Sequence, residues 1–277
     1  MSAIPFSAFD PIFWLHHTNI DRLWAIWSAI NPDSYVIPLK NDAGTYAEAP
    51  GTVEDVNTPL LPFRTSSTFH TSVTVRDTKS FGYSYPEIVD WNVSAAQLAA
   101  NVRTAVNRLY QRSTGKSIAR RASNISGGSV TRRDWFINFQ GVRQASTPFV
   151  VNFFLGEPPV VAKDWAMADN LIVSQVVLPD SSGDEVAPPA MAQIPLSRSL
   201  ETAQQSGKLN GTDINSIKAY LKTNLNWSAI SLSSDACEVA TSNGLDISVV
   251  DQEVLENRRE DQFHSYGAFN KHPDLMW

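Results

Sequence analysis

The stretch Phe9-Asp10-Pro11-Ile12-Phe13-Trp14-Leu15-His16-His17-Thr18-Asn19-Ile20-Asp21-Arg22-Leu23-Trp24 decides how this chain is read. Asp10 followed by Pro11 is a strong helix start: the carboxylate can cap the first free amides, and proline is pre-set for the first helical position. Asn31-Pro32 is an equally good stop. Between them lie about twenty residues, so roughly 30 Å of helix. Ile12, Phe13, Trp14, Leu15, Ile20, Leu23, Trp24, Ile26, Trp27 and Ile30 surround the axis instead of forming one stripe. That pattern predicts a buried helix. His16, His17, Asp21 and Arg22 interrupt it too often for a membrane span.

Polar groups on a buried helix need partners. Asp21 lies one turn beyond His17 on the same face, so it can accept the imidazole N–H or pair with an arginine. An imidazole held in this way presents its other nitrogen as a lone pair, as a metal ligand must. Spacing alone leaves two readings open: a satisfied core histidine beside a structural Asp–Arg pair, or a ligand with its support.

The whole string closely resembles the second copper-binding motif of the type-3 copper proteins: tyrosinases, catechol oxidases and, more distantly, haemocyanins. The family pattern is an Asp-Pro-aromatic helix start, a His-His pair, three residues, then Asp-Arg, and every element is present. Asn57-Thr58-Pro59-Leu60-Leu61-Pro62-Phe63 and Phe81-Gly82-Tyr83-Ser84-Tyr85-Pro86-Glu87 resemble segments of fungal tyrosinases, the second being like the tyrosine motif that closes their catalytic domain. From about Arg133 onward the chain is similar, more loosely, to their C-terminal domain. The resemblance implies that His17 is a ligand of the second copper, with His16 in the pocket wall and Asp21 behind the ligand. It also implies an oxidoreductase that hydroxylates monophenols and oxidises o-diphenols to o-quinones with dioxygen, the chemistry of melanin biosynthesis. Such a site takes six histidines on two coppers. His70, His264 and His272 match no ligand position, which leaves one of the six here. One imidazole cannot hold copper tightly, so the chain alone is expected to be inactive and not to bind copper stably. The fungal segments argue against oxygen carriage of the haemocyanin kind.

Composition agrees with a folded protein of this class. Hydrophobic residues make up 43% of the 277, enough for a core. The net charge of −6 argues against nucleic acid and anionic membranes as partners. A single cysteine, Cys237, excludes an internal disulfide and fits a reducing compartment. No secretory leader is read in the first ten residues, and the expected location is cytoplasmic. Asn92, Asn124, Asn210 and Asn226 stand in Asn-x-Ser/Thr sequons, which a Ser/Thr-rich chain produces by chance.

Along the chain, residues 33–90 read as irregular, with a short strand over 68–76; such a stretch fits a wrapping around a helical bundle. Residues 94–112 form an amphipathic helix on Leu98, Val102, Ala105, Val106 and Leu109, capped by Asn92 or Ser94. A linker over 113–132 is rich in Ser and Gly and carries Arg120-Arg121, with Arg132-Arg133 at its end. It reads as a solvated loop or as a protease-sensitive hinge; the resemblance implies removal of the C-terminal domain there on activation. Beyond it, strands are predicted over 135–140, 148–155, 171–178, 229–232 and 245–250, with helices over 196–207 and 213–225, the second capped by Asp213. The fold class is therefore α+β: the remnant of a mainly helical type-3 copper bundle (1–112), then a β-sandwich or barrel-like C-terminal domain with a helical insertion (133–277).

Two departures from the family are visible. Many fungal relatives carry Cys-x-x-Cys in this domain, and the corresponding region, 175–192, has no cysteine. The family also plugs its pocket with an aromatic side chain from this domain; Phe149, Phe153, Phe263, Tyr266 and Phe269 are of the right kind. Two functions follow as expectations. One is the C-terminal half of a tyrosinase acting on phenols. The alternative is a non-catalytic shielding or interaction module derived from one, associating through the helix at 11–30, whose apolar groups would lie open.

Overall fold

A computed structural model describes residues 4–110, 130–140, 148–177, 191–231, 245–257 and 259–276. Cys237, Asn124, the dibasic pair Arg120-Arg121 and residues 178–190 lie outside the described residues. The chain divides into two compact units, one reaching residue 124 and taking in Asn257–Phe263, the other holding most of the remainder.

The first unit is built on two helices, α1 (Pro11–Ile30) and α2 (Ala95–Tyr110). Asp10 caps α1 as its sequence predicts, its side chain accepting from the Ile12 amide at 3.0 Å. The Ser94 hydroxyl accepts from the Gln97 amide at 3.2 Å at the start of α2. The helices meet through Ile26 and Val102, joined by Ile88 and flanked by Ala29, Leu98 and Val106. Between the helices the chain makes two short ladders. β1 (Leu39–Lys40) pairs with β2 (Val53–Glu54), and β3 (Pro59–Arg64) pairs with β4 (Phe69–Thr71). They are stitched to the end of α1 by polar contacts: Tyr35 donates to the Ser72 carbonyl at 2.7 Å and Arg76 to that of Pro32. On the other side of α2, Arg103 donates to the Asp261 carbonyl at 3.0 Å, and the Asn107 amide donates to those of Glu260 and Gln262.

The second unit is a sandwich of two antiparallel sheets. In one, β11 (Ser265–Met276), β10 (Asp246–Glu256), β5 (Val130–Gln140) and β8 (Met191–Pro195) lie in that order; in the other, β7 (Leu171–Val177), β6 (Phe149–Leu155) and β9 (Leu225–Ser231). Alternation along the strands sends Trp135, Ile137, Phe139, Ile247 and Val249 inward from the first sheet, and Phe149, Val151 and Phe153 from the second. Two helices close this core, α3 (Ser197–Gln205) through Leu200 and α4 (Ile214–Asn224) through Ile217 and Leu221. Asp213 caps α4, accepting from the Ser216 amide at 3.0 Å.

The sheets are open, so of the two forms expected the domain takes the sandwich. Elsewhere the structure corrects the sequence reading. Strands escape the sequence pattern in both units: β1, β2 and β3 in the first, β8 and β11 in the sandwich. β11 is an edge strand whose Gly267, Lys271 and Pro273 suppress hydrophobic alternation while backbone pairing with β10 still holds it. Arg132 and Arg133 lie within β5 and not in a linker; Arg132 is held by Asp134 at 3.0 Å and Glu256 at 2.9 Å. Finally, α1 is not buried: Ile26 alone is fully covered, and Trp14, Leu15, Ile20 and Trp24 are exposed.

Leu221 is 0% exposed in the sandwich core, and Val160 projects fully into solvent. Leu221→Ala is expected to lower stability by about 2–5 kcal/mol in urea melts of the full chain. Val160→Ala is expected to stay within about 0.5 kcal/mol of the parent.

Candidate functional site

The His-His pair sits midway along the exposed side of α1. The His17 ring lies 4.2 Å from the Phe13 ring, one turn back, and 5.5 Å from that of His16, which stands edge-on to it. Both imidazoles face open space in this chain.

One turn further, two adjacent charged residues fix the tyrosine segment to the helix. Asp21 Oδ2 accepts from the Tyr83 hydroxyl at 2.9 Å and the Tyr85 hydroxyl at 2.5 Å. Tyr-x-Tyr spacing in extended chain turns both phenols to one side, and the two rings meet edge to face at 5.7 Å. Arg22 donates through two nitrogens to the Glu87 carboxylate, and through its third to the Tyr110 hydroxyl at 3.0 Å. The segment turns onto α1 at Gly82, whose φ of 73° favours glycine, and Lys79 pairs with Asp90 at 2.7 Å.

These contacts set the charge states. The hydrogen bond from Arg22 holds the Glu87 carboxyl below the ordinary range against the opposing effect of burial, and the same bond stabilises the Arg22 cation. Burial first, and then the bond to Asp21, push the Tyr83 and Tyr85 phenols up, so both stay protonated donors.

The sequence reading offers Asp21 the His17 imidazole or an arginine. The structure gives it two tyrosines instead, and Arg22 takes Glu87. Asp21 therefore supports the helix that carries His17 and not the imidazole itself. The partners Tyr83, Tyr85 and Glu87 stand in the quoted tyrosine motif, but their roles need a chain reversal between residues 22 and 83 that no local pattern encodes. Of the aromatic plug candidates, Phe149 and Phe153 are core residues, whereas Phe263, Tyr266 and Phe269 are exposed.

Among the described residues no three His, Cys, Asp or Glu side chains come together as metal ligands. His70 is engaged with Thr74 at 3.1 Å and His272 with Asp251 at 2.6 Å. His17 can supply one nitrogen to a centre completed by other residues.

Because the folded-state value of Glu87 is depressed, its contribution is full at neutral pH and is lost as pH falls through that value, below the ordinary glutamate figure of about 4.3. Glu87→Gln is expected to cost about 1–3 kcal/mol at pH 7 in denaturant melts. The gap should close as pH is lowered toward 3; a gap that stays constant would remove the ion pair as its source.

Comparison with known proteins places this geometry. Residues 134–249 match the tyrosinase C-terminal domain, and residues 1–30, which contain the histidine pair, match the common central domain of tyrosinase. A tyrosinase of Neurospora crassa is 42% identical over 113 residues, 40% of this chain and 16% of that protein. Polyphenol oxidase 2 of Agaricus bisporus is 38% identical over 138 residues, 50% of this chain and 23% of that protein. The fold matches a solved mushroom tyrosinase with a TM-score of 0.75 at 22% identity, over 99% of this chain and 51% of that one. A holo-protyrosinase from Aspergillus oryzae matches at 0.52 over 98% of this chain and 40% of that one. The chain thus spans about half the length of the solved mushroom enzyme. With the central-domain match on α1 and the C-terminal-domain match on the sandwich, the chain belongs to the fungal-type tyrosinase family.

Proposed function

We propose that this chain is the C-terminal half of a tyrosinase-type polyphenol oxidase, and that the complete protein hydroxylates monophenols and oxidises o-diphenols to o-quinones. The observation that carries this reading is α1 itself. It presents His17 near Trp14, Ile20 and Trp24, which are uncovered, while Ile26 fixes its opposite side against α2 and Arg22 pairs with Glu87. A contiguous apolar surface with an imidazole among its rings calls for covering helices. Those helices would supply the other copper ligands. Copper, when bound, supplies the dioxygen chemistry. This chain's part is to orient one imidazole: Asp21 and Arg22 set the rotation of α1, and Phe13 and His16 pack beside the His17 ring.

The alternative, a shielding module derived from a tyrosinase, draws on a different observation. The described part of the sandwich has a core of its own, from Trp135 to Leu275.

The experiment is to read the transcript in frame upstream of Met1 and express the extended protein with copper. If the frame encodes His-x-x-x-His and a first copper motif, L-DOPA oxidation is expected, together with a loss of at least about a hundredfold for His17→Ala. The given chain alone, supplied with copper, should show no turnover. Copper-dependent turnover by the given chain, or an extended enzyme indifferent to His17→Ala, would overturn the ligand assignment. A frame with no such motifs would favour the shielding module.

A further inference from the structure

The C-terminal sandwich buries a carboxylate at the centre of its four-stranded sheet. Asp251 on β10 is 1% exposed and stands in register between Trp135 on β5 and Asn270 on β11. Its Oδ2 accepts from the Arg133 guanidinium on β5 and from the Asn270 amide at 3.2 Å; its Oδ1 meets His272 Nε2 at 2.6 Å. The His272 ring lies flat on Trp135, with centroids 4.9 Å apart and planes at 19°. One carboxylate therefore ties β10 to both of its neighbours, with two of its three donors on β11.

The apolar contribution of β11 is small. Leu275 is the residue it adds to the core, and most of its other side chains are exposed. The charged and titratable groups around Asp251 are few. They are Arg133 from β5, whose second nitrogen reaches Glu253 at 3.4 Å; His272 and Asp274 from β11; and Lys218 from α4, paired with Asp274 at 2.9 Å. Arg133 is thus the cation that pairs with Asp251, and the buried member of that pair is the carboxylate, not the partly exposed guanidinium. A carboxylate buried in a sheet depends on its donors far more than an exposed one does.

We propose that Asp251 is an acid-operated catch for β11: ionised, it binds the last strand to the sheet, and a proton on it releases that strand while the rest of the sandwich stays folded. Nothing in the tyrosine segment or on α1 takes part, so the inference is independent of the proposed enzyme activity. The sign follows from the bonds. Burial pushes the Asp251 carboxyl up, but the donors Arg133, Asn270 and His272 outweigh it and hold it below the ordinary range. The stabilisation is therefore present above the unfolded aspartate value of about 3.9 and is lost as pH falls through the lower folded value. The donors then surround a neutral acid, and the guanidinium of Arg133 is left facing it. In the other sheet the central strand β6 is held by Phe149, Val151 and Phe153, which do not titrate.

Hydrogen exchange of the full chain, read by mass spectrometry and corrected for intrinsic rates, tests this. The peptide 265–276 should lose protection about tenfold per pH unit below the release point, as one proton requires, while 149–155 keeps its protection at the same pH. Asp251→Asn should show low protection over 265–276 already at pH 7, with no further acid step. Should that variant not fold, the double variant Asp251→Asn/Arg133→Gln removes both members of the pair and is expected to lack the parent's acid step over 265–276. Loss of both peptides together in the parent chain, or a parent-like acid step in either variant, would overturn the proposal.

Discussion

The Arg22 guanidinium is the joint on which the helical unit turns. It reaches Glu87 through two nitrogens and Tyr110 through a third, so one side chain of α1 binds both the tyrosine segment and the end of α2. The unit has few alternatives. Its buried core is Ile26, Ile88 and Val102, far too little apolar surface to define one arrangement of two helices and a long wrapping segment. Planar, two-pronged pairing supplies direction where packing supplies little. Asp21, the next residue back, adds two phenols one turn beyond His17, on the same face of the helix. The pair Asp21-Arg22 thereby fixes the rotation of a helix with no single apolar stripe.

The sandwich is organised by the opposite means. Trp135, Phe139, Phe149 and Phe153 interlock across two sheets, and α3 and α4 seal the core. Here the hydrophobic effect decides the architecture, and polar groups modulate it. Asp251 is the exception: a charge kept inside because three donors converge on it. The two units thus distribute their polar bonds differently. In one they define the fold, and in the other they secure a single edge strand.

The difference shows in what each unit leaves uncovered. The rings of Trp14, Trp24 and Trp27 on α1 are exposed, whereas the inward aromatics of the sandwich are buried among one another.

The sequence by itself determined a good deal. Asp10-Pro11 and Asn31 set the ends of α1, because capping is a local hydrogen-bond problem solved within a few residues. Asp213 did the same for α4. The β-branched and aromatic runs located β5, β6, β7, β9 and β10, because alternation records which face is buried. The histidine pair with Asp-Arg marked the family, since those residue types at that spacing serve a specific centre. Tertiary structure alone decided the rest. It chose two tyrosines for Asp21 and Glu87 for Arg22, contacts more than sixty residues apart in the chain. It recruited β11, whose polar, glycine- and proline-bearing sequence has no strand signature, through backbone pairing with β10. It left α1 open, because burial depends on which neighbours are present and not on the helix alone. Local patterns encode propensity and capping; the partners of a charge and the covering of a face are fixed only when distant segments meet.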